Sequence, residues 1–369
     1  MNNSSPAQQE RPRDRLGPAT ASPPFDNPQF HRGCRARVLC YHPEEKTYVR
    51  LRNVLFRDFA VTGRWDQLKA AYYPVPGLPP IRANAGEVQV CHILQQRQVA
   101  DQDQADPSKV MLELTPRLAA VKVCTARRIR ELREQRHPED PLKEIAVWQE
   151  ISRHNPPHVA TCIEVLFDPG NNSYNIVMPY YQQGDIHNYM FNRPGPKKAL
   201  TEAEARVFLK QIIKGLRGLH DLKICHHDMK MENVMFQGNQ AYIIDFGMAV
   251  KVPYQGDQRC LVKRMGAFGT FQYMAPEILA DKDFDSEAID VWSAGVMLFR
   301  MLTARPSYTT PLPTDLQFIR MTRMLDQLLA TYGIDLSPEC VDLLKGLLQV
   351  DPRLRLSIDE VLKHPWMQN

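Results

Sequence analysis

Two short acidic loops set between apolar strands constrain this chain more than any other feature. Residues 226–236 read HHDMKMENVMF and, after a brief turn, residues 241–250 read AYIIDFGMAV. A lone carboxylate among strand-forming residues must be hydrated, paired or bound to metal, because burying it unpaired is costly. Asp245, followed by Phe246 and Gly247, suits a metal-holding carboxylate on a turn, and Asn233 offers a second oxygen of the hard type that Mg²⁺ takes. Asp228 and Lys230, two apart in the first loop, supply a proton acceptor and a cation. Singly, each has a plainer role, as turn former, helix cap or solvated cation.

Around these loops the pattern changes from β to α. TYVRLRNVLFRDFAV (47–61), EVQVCHIL (87–94), LAAVKVC (118–124) and YNIVMPYY (174–181) read as strands, with YYPVPGLPP (72–80) as a Pro-punctuated connector and QQRQVADQDQADPSK (95–109) as a surface insertion. Leu142, Ile145, Ala146, Trp148 and Ile151 recur at helical spacing. Beyond Gly184 the stretches 202–222, 286–302, 338–350 and 357–366 are helical, the first opening on a capping box formed by Thr201 and Glu204. Residues 1 to about 45, rich in Pro, Ser, Gln and Arg, show no sustained period and read as a disordered tail. The expected organisation is that tail, an N-terminal extension over 46–80 that is partly strand, a small β-rich unit with one helix over 81–178, and a mainly α unit over 179–369.

Forty-six basic against 42 acidic residues in 369 leave a net charge of +4, too weak a bias to imply nucleic acid or a membrane surface as partner. No apolar run approaches the roughly 18 residues of a membrane span, and the N-terminus has no signal-peptide stretch. The eight cysteines carry no CxxC pair, as expected of reduced thiols in a cytoplasmic or nuclear protein. His31, Cys34, Cys40 and His42 lie close together but match no common zinc spacing.

The order of motifs resembles that of the eukaryotic-type Ser/Thr protein kinases. HHDMKMEN is similar to their catalytic loop and DFG to their metal-binding motif, AAVKV to the strand with the phosphate-binding lysine, and GTFQYMAPE (269–277) to the end of their activation segment. DVWSAGV (290–296), DPRLRLS and HPW extend the likeness to about 300 residues. The resemblance implies an α+β, two-lobed fold and transfer of phosphate from ATP, with Mg²⁺, to Ser/Thr hydroxyls of a protein substrate. It implies that Lys122, held by Glu144, grips the α- and β-phosphates, that Asn233 and Asp245 hold the metal, and that Asp228, with Lys230 and Thr270 beside it, takes the substrate proton. Adenine is then expected between Val88, Ala120 and Met235, after a Met178 gatekeeper and against backbone groups of Pro179 and Tyr181. Asp185 is expected to reach ribose or a substrate arginine, and Glu232 an upstream arginine. Glu277 and Arg355 are expected as a structural ion pair.

The sequence departs from that family in two places. IRANAGEV (81–88) keeps only Gly86 of three usual glycines, and His227 replaces the arginine before the catalytic aspartate. Between Gly247 and Gly269 the only hydroxyl is Tyr254, so the sequence predicts activity without phosphorylation of the activation segment. The competing reading is a pseudokinase-type scaffold that binds partners without phosphoryl transfer.

Overall fold

The computed structural model describes residues 16–21, 24–25, 27–57, 70–96, 112–196, 198–263, 266–280 and 282–368. It separates into a β-rich unit, Asp26–Asn155 with Ala160–Tyr181, and a helical unit that takes the rest of the chain, including the segment before Asp26.

The strand β1 (Gly17–Thr20) belongs to the helical unit. The β-rich unit contains β2 (His31–His42), β3 (Thr47–Arg57), β4 (Ala71–Pro74), β5 (Ile81–Ala83), β6 (Gly86–Gln96), β7 (Leu112–Thr125), the helices α1 (Ala126–Glu134) and α2 (Pro141–His154), then β8 (Glu164–Asp168) and β9 (Ser173–Pro179). Its sheet runs β4-β3-β2-β8-β9-β7-β6-β5, and β4 also pairs with β6, so the ladder returns on itself and leaves β5 as a short outlier. Leu55, Tyr72, Cys91, Ile93, Ala119, Val121, Leu166 and Val177, drawn from six strands around that ladder, pack as one buried cluster. Ion pairs and charge-assisted hydrogen bonds bind β2, β3 and β4 to β8 and β9. Arg35 donates to Asp168 (3.0 Å) and Asn175 (3.1 Å), while Glu164 accepts from Arg57 (3.0 Å) and from the Tyr72 hydroxyl (2.7 Å).

Two expectations need correction. The segment expected as a disordered tail over 1–45 contains β1 and β2, its remaining stretch before residue 16 lying outside the described residues. β1 is specified by pairing to distant residues near 260 and β2 by a hairpin with β3 and by pairing to distant β8, and neither needs a strong alternation of its own. The unit expected to hold one helix holds two, α1 and α2, and within 46–80, expected to be partly strand, β3 and β4 lie in its sheet. His31, Cys34, Cys40 and His42 are spread along β2.

In the helical unit the elements are α3 (Ile186–Phe191), α4 (Glu202–Asp221), β10 (Ile224–Cys225), β11 (Val234–Gln237), β12 (Gln240–Ile243), β13 (Val250–Lys251), β14 (Tyr254–Gln255), β15 (Gln258–Val262), α5 (Pro276–Leu279) and α6 (Ser286–Thr303), with further helices to Gln368. The capping box of α4 forms as expected, Thr201 Oγ1 accepting from the Glu204 amide at 3.3 Å while Glu204 accepts from the Thr201 amide at 2.8 Å. α6 is buried on every side, which is why its sequence is apolar all round. Among the described residues no helix is long and apolar enough to cross a membrane.

Candidate active site

In the β-rich unit, strand pairing assembles one group of site residues. Val88 faces Lys122 across β6 and β7, Val90 faces Ala120, and Ala120 faces Met178 across β7 and β9. Cross-strand partners project to the same face of a sheet, so Val88, Ala120, Lys122 and Met178 share one surface. Onto it α2 delivers Glu144, whose two oxygens accept from Lys122 Nζ at 2.7 and 2.8 Å. Both side chains are buried, and a pair this well matched holds the ammonium in one place. Pro179 ends β9 and, lacking an amide N–H, offers only its carbonyl; Tyr181 follows two residues on.

The turn between β5 and β6 lies within residues 81–88, the segment that resembles a glycine-rich loop. Ala83 pairs with Gly86, leaving a two-residue turn of Asn84 and Ala85. A Cβ on Gly86 would lie 2.0 Å from the Val123 carbonyl oxygen, so the single retained glycine is the one at which the backbones come closest. Ala85 is buried against Cys124, Ile129 and Leu132. Arg128 of α1 donates to the Asn84 carbonyl (3.0 Å) and Asn84 Nδ2 to Glu139 (2.9 Å). Packing and hydrogen bonds to α1 and its following loop thus restrain this turn. Arg128 and Glu139 escaped sequence reading because neither belongs to a motif.

In the helical unit the β11–β12 hairpin gathers the second group. Its antiparallel register pairs Val234 with Ile243, and the Ile244 amide donates to the Asn233 carbonyl at 3.0 Å, so Asn233 and Asp245 flank the same end of the hairpin. Asn233 Nδ2 donates to the Asp228 carbonyl (2.8 Å), which commits its nitrogen and turns its amide oxygen to other use. Asp245 sits at φ 64°, a left-handed conformation tolerated by aspartate, and Phe246 behind it packs 5.5 Å from the His226 ring. Oδ1 of Asp228 accepts from the Thr270 amide (2.8 Å) and hydroxyl (2.9 Å), and Oδ2 accepts from Lys230 Nζ (2.6 Å), which also donates to Thr270 Oγ1 (3.1 Å). Burial works against the charge on Lys230, but Asp228, Asp245 and Glu232 outweigh it and raise its pKa. Asp185 and Met235 meet at a backbone bridge; the Asp185 carboxylate caps α3 through Asn188 (2.7 and 2.6 Å).

The loop is held from below by Asp290 of α6, fully buried, which accepts from the amides of His226 and His227 and from the His220 imidazole, each at 2.9 Å. Burial alone would push the Asp290 carboxyl up, but the His220 hydrogen bond and the neighbouring imidazoles hold it below its ordinary 3.8. Burial likewise opposes charge on His220, yet Asp290 and Glu287 raise it above 6.5. The signs fix a window. The aspartate's lowered folded pKa adds stability that is present above 3.8 and lost as pH falls through the folded value; the histidine's raised one adds stability present below 6.5 and lost as pH rises through it. The difference in melting temperature between wild type and His220→Gln is therefore expected to peak between those values and shrink on both sides, as thermal melts from about pH 3 to 9 will show. A difference constant across that range would mean that the pair is not charged.

His227, where the family carries arginine, stacks on Phe268 (4.9 Å, 18°), and both rings contact Phe284 (5.9 and 5.7 Å). Arg259 of β15 donates to Asp285 (2.9 Å) and Glu287. An aromatic cluster and a half-buried guanidinium thus fasten the segment between Gly247 and Gly269. Of the segment's lysines, Lys251 lies 5.9 Å from the Phe25 ring and Lys263 is exposed, while the neighbouring Arg264 falls outside the described residues.

The sequence matches known proteins. The family model for the protein kinase domain matches residues 105–367. This chain belongs to the protein kinase family. It is 33% identical over 229 residues to serine/threonine-protein kinase SAPK2 of Oryza sativa subsp. indica, covering 60% of this chain and 63% of that protein. It is 33% identical over 229 residues to serine/threonine-protein kinase SRK2E of Arabidopsis thaliana, covering 60% and 59%, and 28% identical over 254 residues to the probable serine/threonine-protein kinase CCRP1 of Zea mays, covering 68% and 37%. The kinase-family chain thus spans less than two thirds of the relatives it matches. Its β-rich N-terminal part and helical C-terminal part agree with the two-lobed α+β fold implied by the sequence.

Proposed function

We propose that this chain transfers the terminal phosphoryl group of ATP, with Mg²⁺, to Ser/Thr hydroxyls of protein substrates. The observation that carries the reading is the closed set of bonds among Asp228, Lys230 and Thr270, a carboxylate held by an ammonium and a threonine hydroxyl at 2.6–3.1 Å. The residues fit the cofactor. Asn233 and Asp245, at one hairpin end, offer an amide oxygen and a carboxylate of the hard type that Mg²⁺ takes, and Lys122, fixed by Glu144, is a cation for phosphate oxygens. Bound Mg-ATP would supply the phosphoryl group and part of the charge neutralisation. Asp228 orients the substrate hydroxyl and accepts its proton, while Lys230 offsets charge near the transferred group. Tyr273, whose hydroxyl accepts from Arg300 (2.6 Å) and donates to Glu232 (3.3 Å), draws on that carboxylate, so any preference for substrate arginine through Glu232 is moderate.

The finer reading is that activity needs no phosphate on the activation segment. A phosphate acts there by pairing with cations, and here His227, Phe268, Phe284 and Arg259 already make ordering contacts without one. The protein made in bacteria, treated with phosphatase and shown by mass spectrometry to be unphosphorylated, is expected to phosphorylate Ser/Thr peptides with Mg-ATP at the untreated initial rate. Loss of activity on treatment, regained on phosphorylation of Tyr254 or Thr270, would overturn that part. ATP binding with no transfer to any peptide would instead support the scaffold reading.

A further inference from the structure

Strand β15 uses one edge to pair with β14 in a hairpin, Tyr254 against Arg259 and Gln255 against Gln258. Its other edge would present unpaired backbone groups, and such an edge accepts a strand from whatever segment can reach it. In this chain the segment is β1, which lies parallel to β15 with Gly17 opposite Cys260 and Thr20 opposite Val262, and the Lys263 amide is directed to the Thr20 carbonyl at 3.4 Å. The fit is close: a Cβ built on Gly17 would stand 3.0 Å from Cys260 Sγ, so a larger residue there would push the strands apart. Leu16 borders the same hollow as Tyr254 and Arg259, and Phe25 lies 5.9 Å beneath Lys251. Cys260 and Val262, both 1% exposed, are covered.

The strand so covered is itself joined to the catalytic loop. Val262 exchanges both backbone hydrogen bonds with Phe284 (2.9 and 3.1 Å), and Phe284 contacts His227, the neighbour of Asp228. We propose that the outer edge of β15 is a strand-docking surface, that its ligand is the chain's own segment Leu16–Thr20, and that this docking holds the activation segment in its productive order. The inference deepens the phosphoryl-transfer reading and rests on it for its catalytic consequence; docking itself can be measured without activity.

The experiment uses full-length protein. The bond geometry of a disulfide places a Cβ about 3 Å from the far sulfur, which is the separation available between position 17 and Cys260. Mild oxidation of G17C is therefore expected to link position 17 to Cys260, read by non-reducing peptide mapping, with the linked protein as active as its reduced form. G17V, which evicts the strand, is expected to speed hydrogen exchange at Lys263 and its neighbours while α4 and α6 keep their protection. Its kcat/KM should fall by about tenfold, within the range usual for coupling between a segment and a site. Failure of G17C to link to Cys260, or unchanged exchange at Lys263 in G17V, would overturn the docking. A linked G17C that loses activity, or a G17V that keeps it, would overturn the ordering role. If wild type transfers no phosphate, the phosphoryl-transfer reading fails, and linkage and exchange still decide the docking.

Discussion

Asp228→Asn is expected to lower kcat by about 10²–10⁴-fold, the usual contribution of a positioned general base, with little change in melting temperature. The substitution keeps an oxygen for the Thr270 amide and hydroxyl but removes the carboxylate proposed as proton acceptor. Lys122→Met should cost about 10²–10³-fold, as does loss of one preorganised group facing developing charge. It differs from the first variant in stability: Glu144, 2% exposed at its side chain, is left without its ammonium partner, so the protein should melt lower. Initial-rate assays on a Ser/Thr peptide paired with thermal melts separate the two effects. Near-wild-type turnover in either variant would refute the assignment of the site.

Glu277→Ala should be the more severe for folding. Arg355, 1% exposed, forms a fork with Glu277 at 2.6 and 2.9 Å, donates to the carbonyls of Ala288 (2.7 Å) and Gln349 (3.0 Å), and stands 4.9 Å from the Trp292 ring. Removing the carboxylate strands a buried guanidinium, at a cost of about 3–5 kcal/mol. The double variant Glu277→Ala/Arg355→Met is expected to recover part of that loss, because a thioether in the same space carries no charge to strand. Urea denaturation of the three proteins gives the values; a double variant no more stable than Glu277→Ala would mean that the carbonyl contacts of Arg355, and not its charge, dominate.

The grouping of the candidate site residues was more legible in the sequence than the architecture. Asp228, Lys230, Asn233 and Asp245 stand out because each is a polar group in apolar surroundings, and their loops fall at the end of one local hairpin, where register alone brings Asn233 beside Asp245. Lys122 and Glu144 were placed by resemblance, and their ion pair depends only on a strand and the second helix after it. Contacts between distant segments left no local trace. His227 is an ordinary histidine in the sequence until Phe268 and Phe284, 41 and 57 residues away, supply its stack. Arg259 is one of several cations in its segment, and only the cap of α6 singles it out. β1, reading GPAT, has no alternation to recognise, since its pairing is made by backbone groups.

The return of the sheet's ladder from β4 to β6 separates the unit of likeness from the unit of folding. The family match begins at residue 105, yet a fragment cut there would keep only β7, β8 and β9 of the eight strands, with the flanks of β7 and β8 bare. Bare flanks of that kind recruit other chains, so such a fragment should be an aggregating species even though it carries the motifs from AAVKV to HPW. Within the closed part of the ladder, β5 apart, no strand is terminal and free to fray alone. Strain applied to the β2–β3 hairpin passes through β4 into β6, the strand that begins at Gly86, so the compliance of the turn before it is set partly by residues outside the family's boundaries.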